Sequence, residues 1–163
     1  MKKLIALALS VVLALGAFAG CGSKEATTAK VIEIDLTREE YAFGVDKTQP
    51  ELLASVNAFI AEIQANGKFD EICNNYFGDG TPVAVTSAAF DANKDQLVVA
   101  TNAAFEPFEY MKGDSYYGID MEIAKALADY LGQELVIQNM DFDAVCLSVG
   151  QQKCDIAMRR VSS

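Results

Sequence analysis

The chain has 163 residues, enough for one domain of ordinary size. Its 13 basic and 23 acidic side chains leave a net charge of −10, which argues against a nucleic-acid partner because phosphate binding needs a basic face. The absence of histidine excludes histidine triads and histidine metal sites, and Cys21, Cys73, Cys146 and Cys154 contain no C-x-x-C pair to hold zinc.

Residues 1–21 read as an export leader, set apart from the fold. Lys2 and Lys3 form its positive start, and Leu4–Phe18 is an apolar run shorter than the ~20 residues of a comfortable membrane span. Phe18-Ala19-Gly20-Cys21 resembles a bacterial lipobox, with Phe where leucine is usual. That resemblance implies a lipid on Cys21; the alternative is cleavage nearby without lipid. Gly22–Lys30 is small, polar and aperiodic, a flexible tether.

Val31–Leu36 and Tyr41–Val45 read as strands. Thr48-Gln49-Pro50-Glu51 opens a helix, with Thr48 as cap, Glu51 closing a capping box and Pro50 tolerated in the first turn. Leu52, Val56, Phe59, Ile60 and Ile63 form one apolar stripe, and Gly67 suits the left-handed position past its end. Phe69, Ile72, Cys73, Tyr76 and Phe77 repeat the spacing in a second short helix that ends at Gly78. Both stripes read as core. Residues 79–96 are rich in Gly, Thr, Ala, Asp and Asn and read as a linker, able to reach tens of ångströms at ~3.3 Å per residue.

Leu97–Thr101 reads as a buried strand, and the small-residue loop after it carries Asn102, Phe105, Pro107 and Phe108. A loop at the carboxyl end of a parallel strand is where open α/β sheets place ligands. Glu106 and Glu109 read as solvated, and Met111–Asp114 as a turn. Asp120 stands at or near the cap of a helix whose face is Ile119, Ile123, Leu127 and Leu131, ended by Gly132. Glu134–Gln138 is the next strand. Asp141 caps a helix with the face Phe142, Val145, Cys146 and Val149, ended by Gly150. Cys154–Met158 is the last strand. The alternation predicts an α/β fold with a mostly parallel sheet and helices on both faces. Cys73 and Cys146 read as buried free thiols, with a Cys146–Cys154 bridge as the alternative. Asp141 and Asp143 read as a cap and a first-turn charge rather than an acid–base pair. No nucleophile has a base beside it, and no phosphate loop appears.

LVVATNAAFEPFEY (97–110), YYGIDMEIAKALADYLG (116–132) and MDFDAVCLSVGQQKCDIAM (140–158) resemble the first lobe of the family 3 solute-binding proteins. These are extracytoplasmic receptors for polar amino acids in ATP-binding-cassette (ABC) importers. EEYAFGVDKTQPELLASVNAFIAEIQANGKFDEICNNYFG (39–78) resembles the family's C-terminal segment, which follows the second lobe and returns to complete the first. Here it precedes Leu97, either by circular permutation or as an extra leading copy.

The resemblance implies a periplasmic-binding-protein-like (type II) lobe. Its parts are a leader (1–21), a tether (22–30), a tail-like segment (31–78), a linker (79–96) and a lobe segment (97–163) that stops before a second lobe. It implies ligand-binding roles for Asn102 as a strand-end polar group, for Phe105 and Phe142 as aromatic walls, and for Ser162 as the hydroxyl of a carboxylate-binding corner. An ammonium needs acceptors, a carboxylate needs donors, and aromatic faces attract cations. Phe142 reads equally as core, since it shares the Val145 face. Arg160 stands where a glycine normally lets the backbone approach ligand, and Arg159-Arg160 reads as a solvated tail. The implied partners are a polar amino acid, an importer permease, and the membrane through lipid on Cys21. Neither metal nor cofactor is implied, nor an enzymatic residue. The family closes two lobes over its ligand, so one lobe implies weak binding or none; millimolar binding is worth only ~4 kcal/mol. A sensor domain, an enzyme on the same lobe pair and a structural one-lobe product are the competing readings.

Overall fold

The computed structural model describes residues 40–161. Cys21, the expected strand Val31–Leu36 and Ser162 lie outside the described residues. The chain enters through β1 (Glu40–Val45), α1 (Pro50–Ala65) and α2 (Lys68–Phe77). It continues through β2 (Gln96–Thr101), β3 (Ala104–Phe105), β4 (Glu109–Lys112), β5 (Ser115–Tyr117), α3 (Ile119–Leu131), β6 (Glu134–Asn139), α4 (Phe142–Gly150) and β7 (Ile156–Val161).

The main sheet has the order β1-β7-β2-β6. β2 lies parallel to both β6 and β7, and β1 runs antiparallel to β7 at the edge. Leu97 and Val99 of β2 pack under α1, α2 and α3, while Val98 and Ala100 pack on the other face under Val145 and Val149 of α4. Burial on both faces is why the strand reads as an unbroken apolar run instead of an alternating one. Leu127 and Met121 of α3 are fully buried, each contributing ~1.5–3 kcal/mol relative to exposure.

The helix stripes fall largely where their spacing put them, except that Phe77 at the end of α2 is exposed, and the caps follow only in part. α1 starts at Pro50, and its N-cap is Gln49, which makes no side-chain capping bond. The Thr48 hydroxyl donates instead to Asp46 Oδ1 at 2.6 Å, and the Thr48 N–H to the same oxygen at 2.8 Å. Asp46 thus closes a tight local turn that takes the hydroxyl away from the helix. Gly67 is left-handed, with φ of 82°, at the position expected. Gly118 is the N-cap of α3, and Asp120 stands close to it in the first turn. Asp141 is the N-cap of α4 but makes no side-chain capping bond. Cys146 is exposed, because Val145, Ser148 and Val149 define the buried stripe of α4 and Cys146 is turned off it. Cys73 is half-buried and Cys154 buried, and all three thiols are free.

Three further expectations change. Phe105 lies in β3 rather than a loop, and Met111-Lys112 in β4, so that β3, β4 and β5 form a small antiparallel sheet. Glu109 is buried rather than solvated. The last strand runs on through Arg159 and Arg160, because β1 pairs alongside them: Ala42 opposite Arg159 and Tyr41 opposite Arg160. These arginines are therefore part of the sheet, not a solvated tail.

The stretch between α2 and β2 is bound to the lobe along its course. Val85 and Tyr116 exchange both backbone bonds, at 2.8 and 2.9 Å. The Ala88 N–H donates to Leu135 O at 2.9 Å, and Ile137 N–H to Ser87 Oγ at 2.8 Å. It thereby covers the outer edge of β6, which otherwise offers unpaired backbone groups.

Candidate functional site

β2, β6 and β7 end on the same side, because all three run parallel. Loops at that carboxyl edge collect the polar and aromatic groups. Asn102, one residue past β2, donates through Nδ2 to Met140 O at 2.9 Å. Its Oδ1 takes no hydrogen bond from the described residues and is an acceptor of the kind an ammonium needs. Asn139, the last residue of β6, accepts from Ala103 N–H at 2.9 Å. These two bonds lace the β2 and β6 ends together and hold Asn102 in place.

Phe105 is half-buried and stacks on Phe108, with ring centroids 6.2 Å apart. Phe108 in turn stacks on Tyr41 at 3.9 Å and meets the edge of Phe77 at 6.1 Å. The aromatic wall is thus a row braced by β1 and α2, from the other end of the chain. Phe142 opens α4, half-buried, and Val145 one turn on is the core residue. The two readings of Phe142 meet here, since its ring is neither lost in the core nor free. The Arg159 guanidinium carbon sits 3.4 Å from the ring centroid, and Arg159 Nη1 donates to Phe142 O at 3.0 Å. Sequence reasoning missed this contact; an arginine at the end of a parallel strand, beside an aromatic helix start, is the signal that could have found it.

Asp120 is a second residue with hidden chemistry. It occupies the first turn of α3, is 3% exposed, and its Oδ2 has no hydrogen-bond partner among the described residues. Burial pushes its carboxyl up to about 7. Neighbouring Glu122 is the opposite case: it accepts from Tyr76 Oη at 2.7 Å, Val83 N–H at 2.9 Å and Asn75 Nδ2 at 3.0 Å. Burial and the Glu122 carboxylate hold the Tyr76 phenol above its usual range.

The edge therefore offers an acceptor on Asn102, an aromatic row ending at Phe105 and a cation-bearing aromatic face at Phe142. Residues 97–163 match the model of the bacterial extracellular solute-binding proteins, family 3. That match covers 67 of the 163 residues, so it marks a resemblance of this segment to the family. The architecture agrees: the described lobe is an α/β, type II periplasmic-binding-protein-like lobe with a mostly parallel sheet covered on both faces.

The chain is 33% identical over 78 residues to the arginine-binding extracellular protein ArtP of Bacillus subtilis, covering 48% of this chain and 31% of that protein. It is 32% identical over 73 residues to the probable ABC transporter arginine-binding protein ArtJ of Chlamydia trachomatis, covering 44% of this chain and 28% of that protein. The matched stretch thus spans about a third of the length of these curated relatives. Among solved structures, the crystal structure of an ancestral cyclohexadienyl dehydratase is 32% identical over 39% of this chain and 27% of that chain, with a TM-score of 0.37. A likeness at that score decides nothing about activity. Among the described residues, no helix is long and apolar enough to cross a membrane.

Proposed function

We propose that this chain is the extracytoplasmic binding component of an ABC importer for a polar amino acid, held to the membrane by a lipid on Cys21. The observation that carries this reading is the family 3 match over residues 97–163, which contains the whole carboxyl edge with Asn102, Phe105 and Phe142. The names of both curated relatives, an arginine-binding protein and a probable one, favour capture of an amino acid over its turnover. In this reading Asn102 accepts from the ligand ammonium, Phe105 and Phe142 wall its side chain, and Ser162 donates to its carboxylate. A permease is the partner that receives the ligand.

The test is a titration of the isotopically labelled chain with each polar amino acid to tens of millimolar, followed by NMR. Selective shifts at Asn102, Phe105 and Phe142, weakened in Asn102→Ala, are expected. No shift at these residues from any amino acid would sink the reading. One observation favours a second reading, a lobe that no longer takes ligand: the Phe142 face is already covered by Arg159.

A further inference from the structure

On the helix side of β1 lies a cavity of about 490 Å³ that the proposed function does not use. It is lined by β1, α1, α2, Phe108 and the start of α3, is partly open at its mouth, and its wall is mostly apolar, including Phe43, Val56, Ile60, Phe69 and Ile123. Asp120 also lines it, and among the described side chains no lysine or arginine does. Asp120 is 3% exposed with Oδ2 unpartnered among the described residues, while its backbone N–H is anchored to Phe108 O at 2.9 Å. A carboxylate in an apolar wall is costly unless it meets a cation or takes up a proton. An apolar chamber of ~300–1,000 Å³ with one convergent polar group is the ordinary form of a small-molecule site.

We propose that this cavity binds a primary amine carried on an apolar body, the ammonium meeting Asp120 and the hydrocarbon filling the space between β1 and α1. The ligand supplies a cation that the described wall residues do not. The other titratable groups on the wall, among the described residues, are Tyr41 of β1 and Cys73 of α2, a phenol and a thiol that are ordinarily uncharged at neutral pH. Burial raises the Cys73 thiol further. Glu122, on the same helix, is engaged by Tyr76, Asn75 and Val83, and Glu109 is buried on β4. A zwitterionic amino acid fits poorly, because its carboxylate would enter an apolar wall whose described residues include no basic side chain. The site is therefore chemically distinct from the carboxyl edge, and Phe105 takes no part in it.

The experiment titrates the full chain with 2-phenylethylamine, 2-phenylethanol and 3-phenylpropanoate, reading methyl NMR signals of Val56, Ile60 and Ile123. The amine is expected to shift these methyls, the alcohol to bind at least ~10-fold more weakly, about 1.4 kcal/mol, and the acid not to bind. Asp120→Asn should reduce the amine to the alcohol's affinity, and Ile60→Phe should block it by filling the space while leaving Asp120 in place. Amine affinity should rise from pH 5 to pH 8, as Asp120 gives up its proton. Equal binding of amine and acid, shifts confined to other residues, or an unchanged amine affinity in both variants would overturn the proposal. None of these outcomes bears on amino-acid binding at Asn102 and Phe105, so the two readings fail separately.

Discussion

Gly118 turns the chain from β5 into α3 at a φ of 124°, and a Cβ there would meet the Phe108 carbonyl. Backbone strain and a backbone clash coincide, so Gly118→Ala is expected to cost ~2–3 kcal/mol in thermal or urea unfolding. Asp120, two residues on, carries a pH dependence. Its folded-state pKa of about 7 lies above the unfolded value of ~3.9, so the native state holds the extra proton between those values. Stability from this group is present at low pH and falls as pH rises through that window. Asp120→Asn should flatten the slope between pH 5 and pH 8 and raise stability at pH 8 by ~1–4 kcal/mol. Identical slopes in both proteins would refute the assignment. Arg159→Ala uncovers the face of Phe142. A cation–π contact is worth ~0.5–2 kcal/mol, so affinity for amino acids with cationic side chains should rise at least ~2-fold relative to neutral ones. An unselective change would remove Phe142 from the ligand wall.

The elements were legible to unequal degrees, for physical reasons. The stripes of α1, α2 and α3 repeat every turn and, Phe77 apart, face one core, so spacing alone revealed them. β3, with only Ala104 and Phe105, and β5, with three residues, are too short to carry a period. Glu109 was unreadable because its burial depends on what folds over β4, not on its neighbours in sequence. The helix starts hinged on competition between nearby acceptors, as Asp46 shows by holding Thr48. Between elements, Glu122 binds Tyr76, Asn75 and the Val83 N–H from 39 to 47 residues away in sequence. Tyr76→Phe, which strips one donor from that carboxylate, should cost ~1–3 kcal/mol by urea unfolding. A cost below ~0.5 kcal/mol would show that solvent replaces the bond.

At the scale of the whole molecule, β1 pairs with β7, and α1 and α2 pack into the same core as α3. The described parts of the tail-like segment and of the family 3 segment therefore share one lobe, joined through the stretch along β6. A protease site inserted at exposed Thr81 tests how far this union rests on packing. After cleavage, the two pieces should elute together and unfold in one transition, since buried apolar area and not chain connection holds them. Separation of the pieces on gel filtration would contradict this. The candidate site follows the same logic: Asn102, Phe105 and Phe142 were nameable through the resemblance, whereas Tyr41 and Arg159 entered through β1 and β7 pairing.

By itself the sequence determined most of which stretches bury which faces, the alternation that makes a mostly parallel α/β lobe, and the family that residues 97–163 resemble. Those properties are local or periodic and are written in side-chain order. Only the tertiary structure decided that Arg159 covers Phe142, that Asp120 faces an apolar cavity without a partner among the described residues, and that Cys146 lies outside the core. Each depends on which surfaces meet across the sheet, and a carboxylate, a guanidinium or a thiol acquires its chemistry from what is packed against it.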